Sequence, residues 1–169
     1  MQLNSLKDLY VEQLRDLYSA ETQLINALPK MAQAASTTAL KTAFQEHLDE
    51  TRTQKQRLEQ IFSELGTSPQ GETCEAMEGL IKEGEEVIKA MGDAKVKDAA
   101  LIAAAQRVEH YEMAGYGTVR TFADELGFSS AKSLLQKTLD EEGNADKKLN
   151  ALAEGGIFSS GINEKAMAR

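Results

Sequence analysis

Apolar positions recur along this chain at intervals of three and four, the period of an α-helix with one buried face. Four stripes follow that period. Tyr10, Leu14, Leu17, Glu21, Leu24 and Leu28 form the first. Leu40, Phe44, His47, Thr51, Gln54, Leu58, Ile61 and Leu65 form the second, with Glu50 beside His47. Ala105, Glu109, Glu112, Tyr116 and Val119 make the third, and Leu135, Leu139, Glu142, Asp146, Leu149 and Leu152 the fourth. Three stripes have a carboxylate at positions that should face a core, and the second has an imidazole there with a carboxylate beside it. Burying a carboxylate is costly unless it is paired or bound to a cation. The same substitution on four helices points to a shared reason.

Local signals bound the helices. Asn4 or Ser5 caps the first, with Asp8 placed as in a capping box. It ends around Ala34–Thr37, and Pro29 predicts a kink within it. Ser36, Thr37 or Thr38 caps the second, which Gly66 stops after Leu65. Met77, Leu80, Ile81, Val87, Ile88 and Met91 predict a shorter helix within residues 70–94, closed by Gly92-Asp93. The next long helix spans about Lys95–Leu126 and ends at Gly127. Ser129 or Ser130 caps the last, which ends at Gly155-Gly156. The tail, 156–169, has little periodicity and is expected to be mobile or to dock on a partner. No linker divides residues 1–169, so a single domain is expected, with its bundle over about 4–155.

Short loops make neighbouring helices antiparallel. Glu21 lies about fourteen residues before the first hairpin tip, and His47 and Glu50 about twelve to fifteen after it; at about 1.5 Å per residue these heights agree. Around the second tip, Glu109 and Glu112 match Glu142 and Asp146 in the same way. The long segment between the hairpins suits a crossover that returns the chain along the bundle. The predicted fold is all-α: two antiparallel helical hairpins plus a crossover helix, with seven polar groups at mid-height.

Composition narrows the chemistry. The net charge of −8 opposes nonspecific binding to nucleic acid or anionic membrane. A single cysteine, Cys74, rules out a disulfide or a Cys-x-x-Cys pair within the chain and is expected to be a buried small residue. No apolar run is long enough for a membrane span, and no signal peptide is evident; a cytoplasmic protein is expected. Glu21, His47, Glu50, Glu109, Glu112, Glu142 and Asp146 are therefore candidate metal ligands. A set of oxygens with one imidazole suits iron or manganese rather than structural zinc or calcium. The competing readings are ordinary: a glutamate on a misjudged stripe, a satisfied core histidine, or pairing of Glu109 or Glu112 with Arg107. Asp146 also suits a place behind a ligand. His110 lies about 100° around the helix from Glu109 and so off the seam. Packing is the expected role of Tyr18 and Tyr116.

The chain resembles the ferritin-like superfamily and, within it, the bacterial YciE/YciF-type ferritin-like family. The resemblance runs over roughly residues 3–155. It rests on Leu17-Tyr18-Ser19-Ala20-Glu21, His47-Leu48-Asp49-Glu50-Thr51, Cys74-Glu75-Ala76-Met77-Glu78-Gly79-Leu80, Glu109-His110-Tyr111-Glu112-Met113-Ala114-Gly115-Tyr116 and Glu141-Glu142. It implies a ferritin-like four-helix bundle with two iron ions (or manganese), ferroxidase-type chemistry and a link to stress responses. The superfamily pattern has Glu-x-x-His on two helices; this chain has His47-x-x-Glu50 in reverse order and no histidine on its last stripe.

The function expected from both lines is oxidation of Fe(II) by dioxygen or peroxide at a dinuclear centre. Glu50 and either Glu109 or Glu142 are expected to bridge the ions, with Glu21, His47 and the other carboxylates terminal. Alternatives are manganese catalase-like or peroxidase chemistry at the same residues, or a stress-associated bundle without enzymatic activity. A homodimer is expected rather than a storage cage.

Overall fold

The computed structural model describes residues 3–156 and 159–167. It is a helical bundle, with α1 (Leu6–Ala34), α2 (Thr38–Leu65), α3 (Glu75–Lys89), α4 (Ala94–Glu125) and α5 (Ser129–Glu154) in chain order. The hairpins α1–α2 and α4–α5 pack against each other through α1 with α4 and α2 with α5. The crossover helix α3 lies against α1 and α4. No helix among the described residues is long and apolar enough to cross a membrane.

The helix ends follow local chemistry, with some departures from expectation. Ser5 Oγ accepts from Asp8 N at 3.1 Å as a capping box requires, while the return bond to the Asp8 carboxylate comes from Asn4 N at 3.1 Å, one residue before the cap. The α2 N-cap, Thr37, makes no side-chain cap bond. Asp98 of α4 instead holds the loop leading into α2: its carboxylate accepts from Ser36 N at 2.7 Å, Ser36 Oγ at 2.9 Å and Thr37 N at 2.9 Å. Gly92-Asp93 does not close α3, which stops at Lys89; Asp93 instead accepts from Lys95 N and Val96 N and starts α4. Neither Ser129 nor Ser130 caps α5, because Phe128 holds the N-cap position. The turn is too tight for a serine cap. Gly127 takes φ 74°, Phe128 N bonds back to Ala123 O at 2.8 Å, and the Phe128 ring packs on Tyr10 at 5.8 Å.

The tail departs most from expectation, because its described residues fold onto the chain's own bundle. Gly155 and Gly156 pair antiparallel with Ser160 and Ser159. The short helix α6 (Ile162–Met167) then packs on α4 and α5, with Ile162 buried. Gly161 permits this return: a Cβ there would stand 2.3 Å from Ala153 O.

The core is in two parts. One apolar cluster includes Leu24, Leu28, Leu40, Phe44, Leu101 and Leu149. The other includes Leu14, Leu17, Leu58, Ile61, Val119 and Leu135. Along each stripe the polar members fall between the two clusters, so Glu21, His47, Glu109, Glu112 and Glu142 are buried in a layer across the bundle.

Asp98 links the two hairpins and is fully buried. Asp98→Ala leaves two backbone donors without an acceptor and is expected to lower stability by about 2–4 kcal/mol. Urea denaturation checks this; a loss smaller than about 0.5 kcal/mol would show that water replaces the carboxylate freely.

Candidate metal centre

Three helices bring polar groups to one point, and a fourth buries Glu21 beside it. Glu109 and Glu112 stand one turn apart on α4 and share a face. His47 comes from α2 and Glu142 from α5. One ligand atom from each of these four lies within 4.8 Å of all the others. His47 Nε2 is 3.3 Å from Glu109 Oε1 and 3.9 Å from Glu142 Oε2. Glu21 of α1 is fully buried beside them, and one of its oxygens accepts the hydroxyl proton of Tyr116.

Among the described residues, most donor atoms of the layer lack a hydrogen-bond partner. Both oxygens of Glu112 and of Glu142 are buried without a hydrogen bond, as are Glu109 Oε2, Glu21 Oε2 and both ring nitrogens of His47. No lysine or arginine forms an ion pair with Glu21, Glu109, Glu112 or Glu142 among the described residues. Buried polar groups are otherwise satisfied almost without exception. The donors are those of a hard or borderline cation site: carboxylate oxygens with one imidazole. The group could hold a metal ion.

Electrostatics agree. Burial raises the Glu21 carboxyl to about 8, partly offset by the Tyr116 hydroxyl. Burial, then repulsion from Glu21 and Glu109, raises Glu112 well above the carboxylate range. Burial, then Glu112, Glu109 and Glu21, does the same to Glu142. Glu109 is raised by burial against the pull of His47. For His47, burial lowers the pKa, but Glu109 and Glu50 outweigh it and the net shift is upward.

Two sequence candidates lie outside this group. The Glu50 side chain is 47% exposed, with Oε2 3.7 Å from His47 Nδ1, and the imidazole holds its pKa below the usual range. Asp146 faces sideways: Oδ1 is 3.4 Å from His110 Nε2, and Oδ2 accepts from Asn150 at 3.0 Å. His110 is exposed, as its angle on the helix implied.

The structure adds supports that the stripes did not suggest. Arg57 grips Glu141 with two bonds of 2.6 and 2.7 Å, and Gln54 Nε2 donates to the same carboxylate at 3.2 Å. This clamp joins α2 to α5 beside the layer. Tyr111 donates to Asp16 and lies 2.9 Å from Cys74 Sγ, tying the start of α3 to α1 and α4. The sequence signal for the clamp was slight: Glu141 adjoins a seam residue and Arg57 precedes Leu58 at matching height.

A cavity of about 90 Å³ with a mixed lining, Phe44 and Leu149 beside charged and polar groups, reaches the layer between α2 and α5. His47, Glu50, Glu109 and Asn144 line it, with the ion-paired Glu46 and Lys148.

Comparison with known proteins places the chain. Residues 5–166 match the family described as "Domain of unknown function (DUF892)", and the chain belongs to that family. It is 46% identical to Protein YciF of Escherichia coli (strain K12) over 167 residues, 98% of both chains. The crystal structure of the E. coli stress protein YciF superposes with TM-score 0.86 at 48% identity, covering 89% of this chain and 95% of that one. YcfI from Rhodopseudomonas palustris, named as a candidate structural protein, gives TM-score 0.86 at 44% identity over 90% and 97%. A Xanthomonas campestris protein at 19% identity, with TM-score 0.69 over 86% and 89%, shares the fold.

The buried carboxyls set a pH dependence. Their native pKa values lie above the ordinary 4.5, so the native state holds protons that the unfolded chain has released. That stabilisation is complete below about pH 4.5 and is lost as pH rises through the native values, about 8 for Glu21. Metal-free protein is therefore expected to melt at a lower temperature at about pH 8 than at about pH 5.5, and Glu112→Gln to raise the higher-pH melting temperature by a few degrees. A melting temperature that rises across this window, or falls in the variant, would contradict the burial of ionisable carboxyls.

Proposed function

We propose that this DUF892-family chain is a dinuclear metal protein of ferritin-like type that oxidises Fe(II). One observation carries the proposal: three buried carboxylates and an imidazole from α2, α4 and α5 converge, most of their donor atoms unpartnered, with the buried Glu21 of α1 beside them. Glu21, Glu109, Glu112 and Glu142 supply four carboxylates, and two divalent ions would balance their charge. Two redox-active ions held there would give one electron each, and those two electrons with two protons would reduce dioxygen to hydrogen peroxide, or hydrogen peroxide to two waters.

The chain's own residues have separable tasks. Glu109, Glu112, Glu142 and His47 bind, with Glu21 completing the inner set. The Tyr116 hydroxyl holds one Glu21 oxygen and so orients the other. His47 binds through Nε2, the ring nitrogen facing Glu109 and Glu142. That leaves Nδ1 to carry the proton, on the side where Glu50 stands. We place Glu50 and Asp146 at the rim of the site, Glu50 orienting the imidazole and standing within reach as a ligand. The apolar clusters above and below exclude water, and the cavity past Glu46 and Lys148 gives a cation access. The name of the relative YciF supports a stress-response setting.

Protein purified without chelator and titrated with Fe(II) is expected to bind two ions per chain and consume oxygen on mixing. Glu109→Ala is expected to weaken binding at least tenfold while leaving helical circular dichroism unchanged. Wild-type protein that binds no Fe(II), or Glu109→Ala with full occupancy, would overturn the assignment. Peroxide disproportionation by the manganese-loaded protein, with no Fe(II) oxidation, would instead identify catalase-type chemistry.

A further inference from the structure

We propose that a second, apolar cavity between α1, α3 and α4 is a dioxygen site serving the Glu109 side of the centre; this rests on the metal-centre reading above. The cavity holds about 30 Å³. Its wall includes Leu24, Leu28, Met31, Ile81, Ile88 and Val108, and Glu109 belongs to the lining. Glu109 therefore lines both cavities, the one past His47 and this one.

The two linings select different molecules. A hydrated cation or hydrogen peroxide gives up hydrogen bonds to water on entering an apolar space, and the six apolar side chains named offer none in return. Dioxygen makes almost none to lose. The volume exceeds the roughly 10–15 Å³ that one water needs and so admits a diatomic molecule. Dioxygen thus fits this cavity in size and polarity, while cation and peroxide suit the side lined by Glu46, Glu50 and Asn144.

Gly84 is part of the design. It lies inside α3 and has no positive φ, so its backbone does not call for glycine. Glycine in a helix interior is otherwise unfavourable. A Cβ at Gly84 would meet only Met31 Sδ at 3.6 Å, an ordinary contact, so a larger side chain has room to enter the cavity. The missing side chain keeps that space open. Lys30 and Glu85, ion-paired at 2.8 Å between α1 and α3, are also in the lining and hold the two walls together.

Xenon serves as the apolar probe. Crystals of the wild-type protein pressurised with xenon are expected to show the atom among Met31, Ile81 and Val108, and crystals of Gly84→Leu to show none. In solution, Gly84→Leu is expected to bind Fe(II) as the wild type does and to oxidise it at least fivefold more slowly with dioxygen. Its rate with hydrogen peroxide should be unchanged. Absence of xenon from the wild-type cavity would overturn the proposal whether or not the variant folds. So would an unchanged dioxygen rate in an iron-loaded Gly84→Leu protein, or equal slowing with both oxidants. The two readings fail separately: no iron uptake by the wild type overturns the metal centre, and no xenon overturns the gas site.

Discussion

The structure turns on the burial of like charge. Glu21, Glu109, Glu112 and Glu142 share a buried layer with a single imidazole, and among the described residues no lysine or arginine pairs with them. Such an arrangement opposes folding unless protons or metal ions neutralise it. The two apolar clusters must therefore hold the layer shut, and they do so from both sides with leucine-rich seams. The long helices suit the task because each fixes its ligand by continuous backbone hydrogen bonds and by packing above and below it.

Cross-links stiffen the frame. Asp98 fastens the α1–α2 loop to α4, and the Arg57–Glu141 clamp fastens α2 to α5. Asp16, Tyr111 and Cys74 join α1, α4 and the start of α3. These contacts use charged or polar groups at helix edges, so they set the spacing of the bundle without entering the ligand layer. The two cavities then approach the layer from different faces, one with several charged and polar groups in its lining and one almost wholly apolar, and both include Glu109.

Much of this was legible in the sequence because helical period and hairpin height are local quantities. Glu21, His47, Glu109, Glu112 and Glu142 lie where the stripes put them. The two outliers show the limit. Glu50 follows His47 by the same three-residue step that separates the buried Glu109 and Glu112, yet its side chain is 47% exposed, so spacing along the helix does not separate the two cases. Asp146 follows Glu142 by four residues, turns about 40° past it, and meets His110 and Asn150 instead. Asp98 was hidden for another reason: its partners Ser36 and Thr37 are distant in sequence, and no periodicity links them. The folded tail depends on the close fit of Gly161 against Ala153, also a tertiary fact.

The most direct measurement is anomalous diffraction at the iron and manganese edges from crystals grown without chelator. The account predicts peaks between Glu109, Glu112, Glu142 and His47, with a second beside Glu21, and all four carboxylates turned toward them. Clear density for the same side chains with no anomalous signal, after soaking in either metal, would contradict it.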